Sequence, residues 1–129
     1  MNEPLWISEE IVRFIQQDQI QQHGGSLGIR DENLLVASLA RPKHLLVYGE
    51  PDLFDLAAAY GYGLAKNHPF IDGNKRTAFT VMATFLLING YLLEVPEKEV
   101  VQIMERLATD EENQESLAQW LRKNSVLRG

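Results

Sequence analysis

The chain has 129 residues, 45% of them hydrophobic, no cysteine and a net charge of −6; that length suits one compact domain, residues 1–129, with one core. The missing cysteines exclude a disulfide framework and any thiolate nucleophile or metal ligand. An acidic balance argues against direct nucleic-acid binding, which needs a basic face, and no apolar run approaches the ~20 residues of a membrane span, so a cytoplasmic protein with no membrane segment is expected.

The first helical pattern is SEEIVRFIQQDQIQQHGG. Ser8 suits its N-cap, Ile11, Val12, Ile15 and Ile20 supply the apolar positions, and Gly24-Gly25 is a stop. A second helix starts on Asp31 in RDENLLVASLARP, sets Leu34, Leu35, Ser38 and Leu39 near one face, and is expected to end before Pro42, which lacks a backbone donor. KHLLVYGEPD then reads as a loop or short hairpin, with Leu45 to Tyr48 apolar and extended in pattern, bounded by Gly49, Pro51 and Asp52. Such a flap would offer the backbone of a target an exposed strand edge.

Asp52 caps a third predicted helix running to about Lys66, dense in small residues (Ala57, Ala58, Ala59, Gly61, Gly63) that allow a neighbouring helix to approach closely. The fourth, from about Asn74 to Asn89 with Gly90 as its stop, carries Ala78, Phe79, Val81, Met82, Phe85, Leu86 and Ile88 on nearly every side, the mark of a buried central helix. YLLEV follows as a short extended stretch, Pro96 opens a helix to about Leu107, and NQESLAQWLRKN forms a last helix with Leu117, Trp120 and Leu121 inward. From Glu94 to Glu115 eight acids face only Lys98 and Arg106, which accounts for the whole charge excess and reads as a solvated helical face. The class is all-α, a helical bundle around a central buried helix.

One stretch is chemically out of proportion to its length. HPFIDGNKRTAF, residues 68–79, places a histidine, a carboxylate, an amide and two cations directly before that central helix. Pro69 is expected to hold His68 in an extended conformation, its ring pointing out of the loop. Gly73 and Asn74 tolerate left-handed angles, so DGN can turn sharply and aim backbone N–H groups at one point of a helix N-terminus, a ready phosphate site. Lys75 and Arg76 sit in the first turn, where cations oppose the helix dipole unless an anion joins them. Asp72 is an oxygen ligand for Mg²⁺, which is usually held by one or two carboxylates together with substrate phosphates. His68, read as the only histidine near it, has the chemistry to take a proton from an attacking hydroxyl near neutral pH. Base, metal ligand, phosphate nest and cations make a phosphoryl- or nucleotidyl-transfer site. Phe70 is expected to turn inward as an anchor; His23 and His44 read as structural or solvated.

HPFIDGNKRTA resembles the signature of the Fic/Doc superfamily, H-x-F-x-D/E-G/A-N-x-R. The chain resembles its death-on-curing (Doc) branch again in GGSLGIRDENLLVASLARP, DLFDLAAAYGYGLAKNHPF and FLLINGY, so that the likeness covers residues 8 to about 92. The resemblance implies an α-helical Fic fold, with His68 as base, Asp72 on Mg²⁺, and Gly73, Asn74, Lys75 and Arg76 on the phosphates of ATP. AMP-transferring members typically read G-N-G-R-x-x-R, whereas this chain has Lys75 in place of the second Gly and Phe79 in place of the second Arg. Doc-type proteins share that departure, and the resemblance therefore implies transfer of the γ-phosphate of ATP to a threonine of elongation factor Tu, arresting translation. It also implies control in trans by a Phd-type antitoxin. AMP transfer, a catalytically idle Fic-fold binding module and an RNA-cleaving toxin using His68 with Lys75 and Arg76 stand as alternatives.

Overall fold

The structure, a computed structural model, describes residues 3–128. Among the described residues the elements run α1 (Glu9–His23), α2 (Glu32–Tyr48), α3 (Leu53–Asn67), α4 (Asn74–Ile88), β1 (Tyr91–Leu93), α5 (Glu97–Ala108), α6 (Gln114–Lys123) and β2 (Ser125–Leu127). Short polar side chains start most helices, each accepting a backbone N–H that the helix itself leaves unpaired. Ser8 accepts from Ile11, Asp31 from Leu34, and Asp52 and Asp55 exchange bonds in a capping box at α3.

Helices α3 and α4 form the centre, and α3 is the more enclosed, with Phe54, Leu56 to Gly61 and Gly63 to Ala65 all buried. Its small residues let α4 come close: a Cβ added at Gly61 would lie 2.2 Å from Met82 Sδ. Tyr60, fully buried, accepts a hydrogen bond from Ile7 N at 3.0 Å and packs 5.2 Å, centroid to centroid, from Phe85. The approach to α1 is thereby pinned to the core. No helix among the described residues is long and apolar enough to cross a membrane.

Two expectations for the region after α2's first turns are overturned. The helix does not end before Pro42 but runs through it to Tyr48, so the expected loop or hairpin over residues 43–52 is helical as far as Tyr48. Proline in a helix interior costs ~3 kcal/mol, mainly by leaving one carbonyl without its donor and by steric strain. Here that carbonyl belongs to Ser38, and Gly63 of α3 lies so close that an added Cβ would sit 3.4 Å from it. Around it the seam is tied by Ser38 Oγ, within 2.7 Å of Leu34 O and 3.2 Å of Gly63 O, and accepting from Asn67 Nδ2 at 2.9 Å. Pro42 is buried, and Leu45 and Leu46 beyond it pack on the core. Because the donors of residues 44–48 serve this helix, that segment has no strand edge to offer.

The extended segment nearest the site lies elsewhere. Between α1 and α2, residues 28–31 pair antiparallel with residues 69–71, through a bridge between Ile29 and Phe70 and a bond from Ile71 N to Gly28 O of 3.1 Å. A second unforeseen pairing closes the C-terminal region: β2 lies antiparallel to β1, Leu92 opposite Val126.

Candidate active site

The site is a loop of six residues between the C-terminus of α3 and the N-terminus of α4. His68 is not extended, as Pro69 led one to expect, but left-handed at φ 48° and ψ 56°, forming the C-cap of α3. For a non-glycine residue this conformation costs ~1–2 kcal/mol. The preference imposed by the following proline is overridden by four hydrogen bonds. Arg30 donates from Nε to His68 O at 2.7 Å and from Nη2 to Asn67 O at 2.8 Å, while the backbone N–H groups of Arg30 and Asp31 reach Pro69 O at 2.7 and 3.1 Å.

Phe70 is 1% exposed and fixes the loop to the core, as its alternation with His68 suggested. Asn74 holds it from the other side, accepting from Phe70 N and donating to Phe70 O, both at 3.0 Å. The amide expected on a phosphate is thus committed to the loop's own backbone, and what Asn74 can present to an anion is its backbone N–H. Asp72 is gripped at two points: Ser26 N donates to Oδ2 at 2.7 Å, and Gln16, buried on α1, donates to the Asp72 carbonyl at 3.2 Å. Its second carboxylate oxygen, Oδ1, has no hydrogen-bond partner among the described residues.

Gly73, at φ 76°, takes the N-cap position of α4 without any side-chain cap, so the first donors of the helix have no side-chain acceptor. Lys75 and Arg76 follow, exposed, with no acid in the first turn and no ion pair among the described residues. Positive charge and uncapped N–H groups converge where an anion would sit.

His68, Asp72, Gly73, Asn74, Lys75 and Arg76 all line one cleft of about 750 Å³, a size that suits a nucleotide. The opposite wall mixes apolar and acidic residues: Leu93 after α4, Val100, Val101 and Met104 of α5, and with them Glu97 and Glu105 of the same helix. Phe79 belongs to this lining and is only partly buried, rather than a core residue throughout. His23, in the last turn of α1, lines the same cleft, so His68 is not the only histidine near Asp72; His44, exposed on α2, lies outside it. No three metal-ligating side chains gather among the described residues. Asp72, with one carboxylate oxygen free and no cluster of ligands gathered round it, therefore fits Mg²⁺, whose remaining ligands are commonly phosphate and water, and does not fit a metal held by protein ligands alone.

Sequence reasoning missed Arg30, Ser26 and Gln16, the three residues that brace the loop. Their contacts to it span 37 to 56 residues of chain. The local signal was the glycine-rich GGSLGIRD, whose positive-φ glycines at 24, 25 and 28 mark a backbone under unusual constraint.

A family model described as the Fic/DOC family matches residues 6–86, more than half of the chain. The chain is similar to "Toxin Doc" of Mycolicibacterium smegmatis, at 43% identity over 100 residues covering 74% of this chain and 76% of that protein. It is also similar to "Protein kinase doc" of Escherichia phage P1, at 32% identity over 118 residues covering 91% and 93% of the two chains.

Proposed function

The chain belongs to the Fic/DOC family and has its mostly helical, all-α class fold, and we propose that it is a Doc-type toxin that transfers the γ-phosphate of ATP to a threonine hydroxyl of a target protein. Elongation factor Tu is the target that the Doc resemblance implies. The observation that carries the reading is the convergence in one cleft of an exposed histidine, a carboxylate with an oxygen that has no partner among the described residues, and a helix N-terminus without a side-chain cap that bears two cations unpaired among the described residues. The name "Protein kinase doc" borne by the phage relative supports the same reaction.

In this mechanism the phosphates lie against the N–H groups at the start of α4, with Lys75 and Arg76 stabilising charge that accumulates on the transferring group. His68 accepts the proton of the target hydroxyl as its oxygen forms a bond to the γ-phosphorus and the bond to the bridging oxygen of ADP breaks. Asp72 would hold Mg²⁺, which when bound neutralises phosphate charge and helps to orient the group for attack. Val100, Val101 and Met104 on the α5 side of the cleft would take the nucleoside end. Phe79 beside Lys75 presents a ring where AMP-transferring members carry an arginine, which favours phosphate transfer over nucleotide transfer. Ile71 and Val101, 51% and 49% exposed at the rim, offer an apolar surface to an antitoxin of the Phd type acting in trans.

Intact-mass spectrometry of elongation factor Tu after incubation with the protein, ATP and Mg²⁺ tests the reading. A gain of one phosphate that requires His68 is the expected result. A gain of AMP by the wild type would overturn the kinase assignment, and the Lys75→Gly, Phe79→Arg double variant, once shown to be folded, should move a phosphate-transferring protein toward that outcome.

A further inference from the structure

We infer that Arg30 is a positioning residue for the histidine of the site: its guanidinium, bridging two successive carbonyls, holds His68 in the left-handed conformation that places the imidazole in the cleft. The inference rests on the reading of His68 as the base, and deepens it.

The geometry is specific to one conformation. Arg30 Nε reaches His68 O at 2.7 Å and Nη2 reaches Asn67 O at 2.8 Å, so one planar fork spans two consecutive carbonyls at the end of α3. Those carbonyls converge on it because His68 turns left-handed, at ψ 56°. In the extended conformation that a residue before proline prefers, rotation about ψ would swing the His68 carbonyl off the fork. The cation also sits where the carbonyls at a helix C-terminus leave partial negative charge. Arg30 makes no ion pair among the described residues that would explain it otherwise.

The remaining braces do not depend on this side chain. Pro69 O is held by the backbone N–H groups of Arg30 and Asp31, Phe70 by Asn74, and Asp72 by Ser26 and Gln16. Removing the guanidinium therefore frees His68 while leaving the carboxylate and the phosphate end of the cleft in place. A merely structural arginine would affect both.

The test uses the full chain as wild type, Arg30→Met, which keeps the stem and removes the fork, and Arg30→Lys, which restores one donor group without the fork. Folding is checked by circular dichroism. With ATP, Mg²⁺ and target, Arg30→Met should lower kcat roughly tenfold, equivalent to about 1.4 kcal/mol, with nucleotide KM changed less than about twofold. Arg30→Lys should recover part of the loss, and Arg30→Met should add nothing in a His68→Ala background. With ¹⁵N-labelled histidine, the His68 ring resonances should shift or double in Arg30→Met while those of His44 stay in place. Unchanged His68 resonances, a loss that persists in the His68→Ala background, or an equal rise in KM would overturn the inference. If the wild type transfers nothing, the proposed function fails, and the resonances alone decide whether Arg30 holds His68.

Discussion

Replacing the adjacent glycines 24 and 25 by alanine, one at a time, separates backbone strain from contact with the candidate metal ligand. Both have positive φ, +84° and +112°, where a side chain costs of the order of 1–3 kcal/mol. A Cβ at position 24 would meet nothing within 4 Å, whereas one at 25 would lie 3.1 Å from Asp72 Cβ, 3.4 Å from Asp72 Oδ2 and 3.1 Å from Ile20 Cδ1. Asp72 or Ile20 must then give by a few tenths of an ångström, and the bond from Ser26 to Oδ2 is strained with them. If 1 Å of misplacement costs roughly 10²-fold in rate, a few tenths correspond to roughly three- to fivefold. Urea denaturation should show comparable losses of stability in the two variants. A titration of transfer activity against Mg²⁺ should move several-fold to higher concentration only for Gly25→Ala. Identical Mg²⁺ titrations for both variants, at measured and similar stabilities, would refute the argument that residues 24–26 set the position of the Asp72 carboxylate.

Three further outcomes are expected. Gly61→Ala should destabilise the fold, because the new Cβ would lie 2.2 Å from Sδ and 2.6 Å from Cγ of the fully buried Met82, and overpacking of ~1–3 kcal/mol exceeds the ~1 kcal/mol gained in helix propensity; in a Met82→Ala background the same change should become stabilising, as measured by denaturation. His68→Gly should lower transfer ~10²–10⁴-fold while keeping stability within ~1 kcal/mol, since glycine accepts left-handed angles that histidine holds under strain. At Asp52, burial pushes the carboxyl up, but the Asp55 N–H and Arg122 outweigh it and hold it below its usual range. That depressed value stabilises the fold above the ordinary carboxylate pKa of ~3.9 and is lost as pH falls through the lower folded value, so Asp52→Asn should flatten the acid limb of a stability-against-pH curve. At pH 7 the same variant should cost less than ~1 kcal/mol, because the ion pair with Arg122 is nearly half exposed.

What could be read from the sequence was what is decided within a few residues. Ser8, Asp31 and Asp52 announce helix starts because a cap bonds to a backbone group three residues on, and each is found doing so. Gly90 likewise marks the end of α4. Pro42 misled because its cost is local while its compensation, the seam with Gly63 and Asn67, comes from more than twenty residues away. The Leu45 to Tyr48 run looked extended for the same reason: a half-buried helical end and a strand have similar apolar content, and only packing against the core distinguishes them. A three-residue strand such as β2 carries too little pattern to be found before its partner is known.

The chemistry of the site was legible because its groups fall within nine consecutive positions, but the braces that orient them were not, and this division has a physical basis. Three features of the loop violate local rules: a non-glycine residue is left-handed before a proline, an N-terminus has no side-chain cap, and two cations occupy a first turn. Each is unfavourable taken alone. The first is compensated from the segment 28–31 and the other two would be compensated by an anion. A chain selected only for stability would cap α4 with Asp or Ser and place acids after it, as it does at α1 and α3. An uncapped, cationic helix start fixed by contacts spanning as many as 56 residues is the arrangement expected where binding an anion matters more than the stability of that turn.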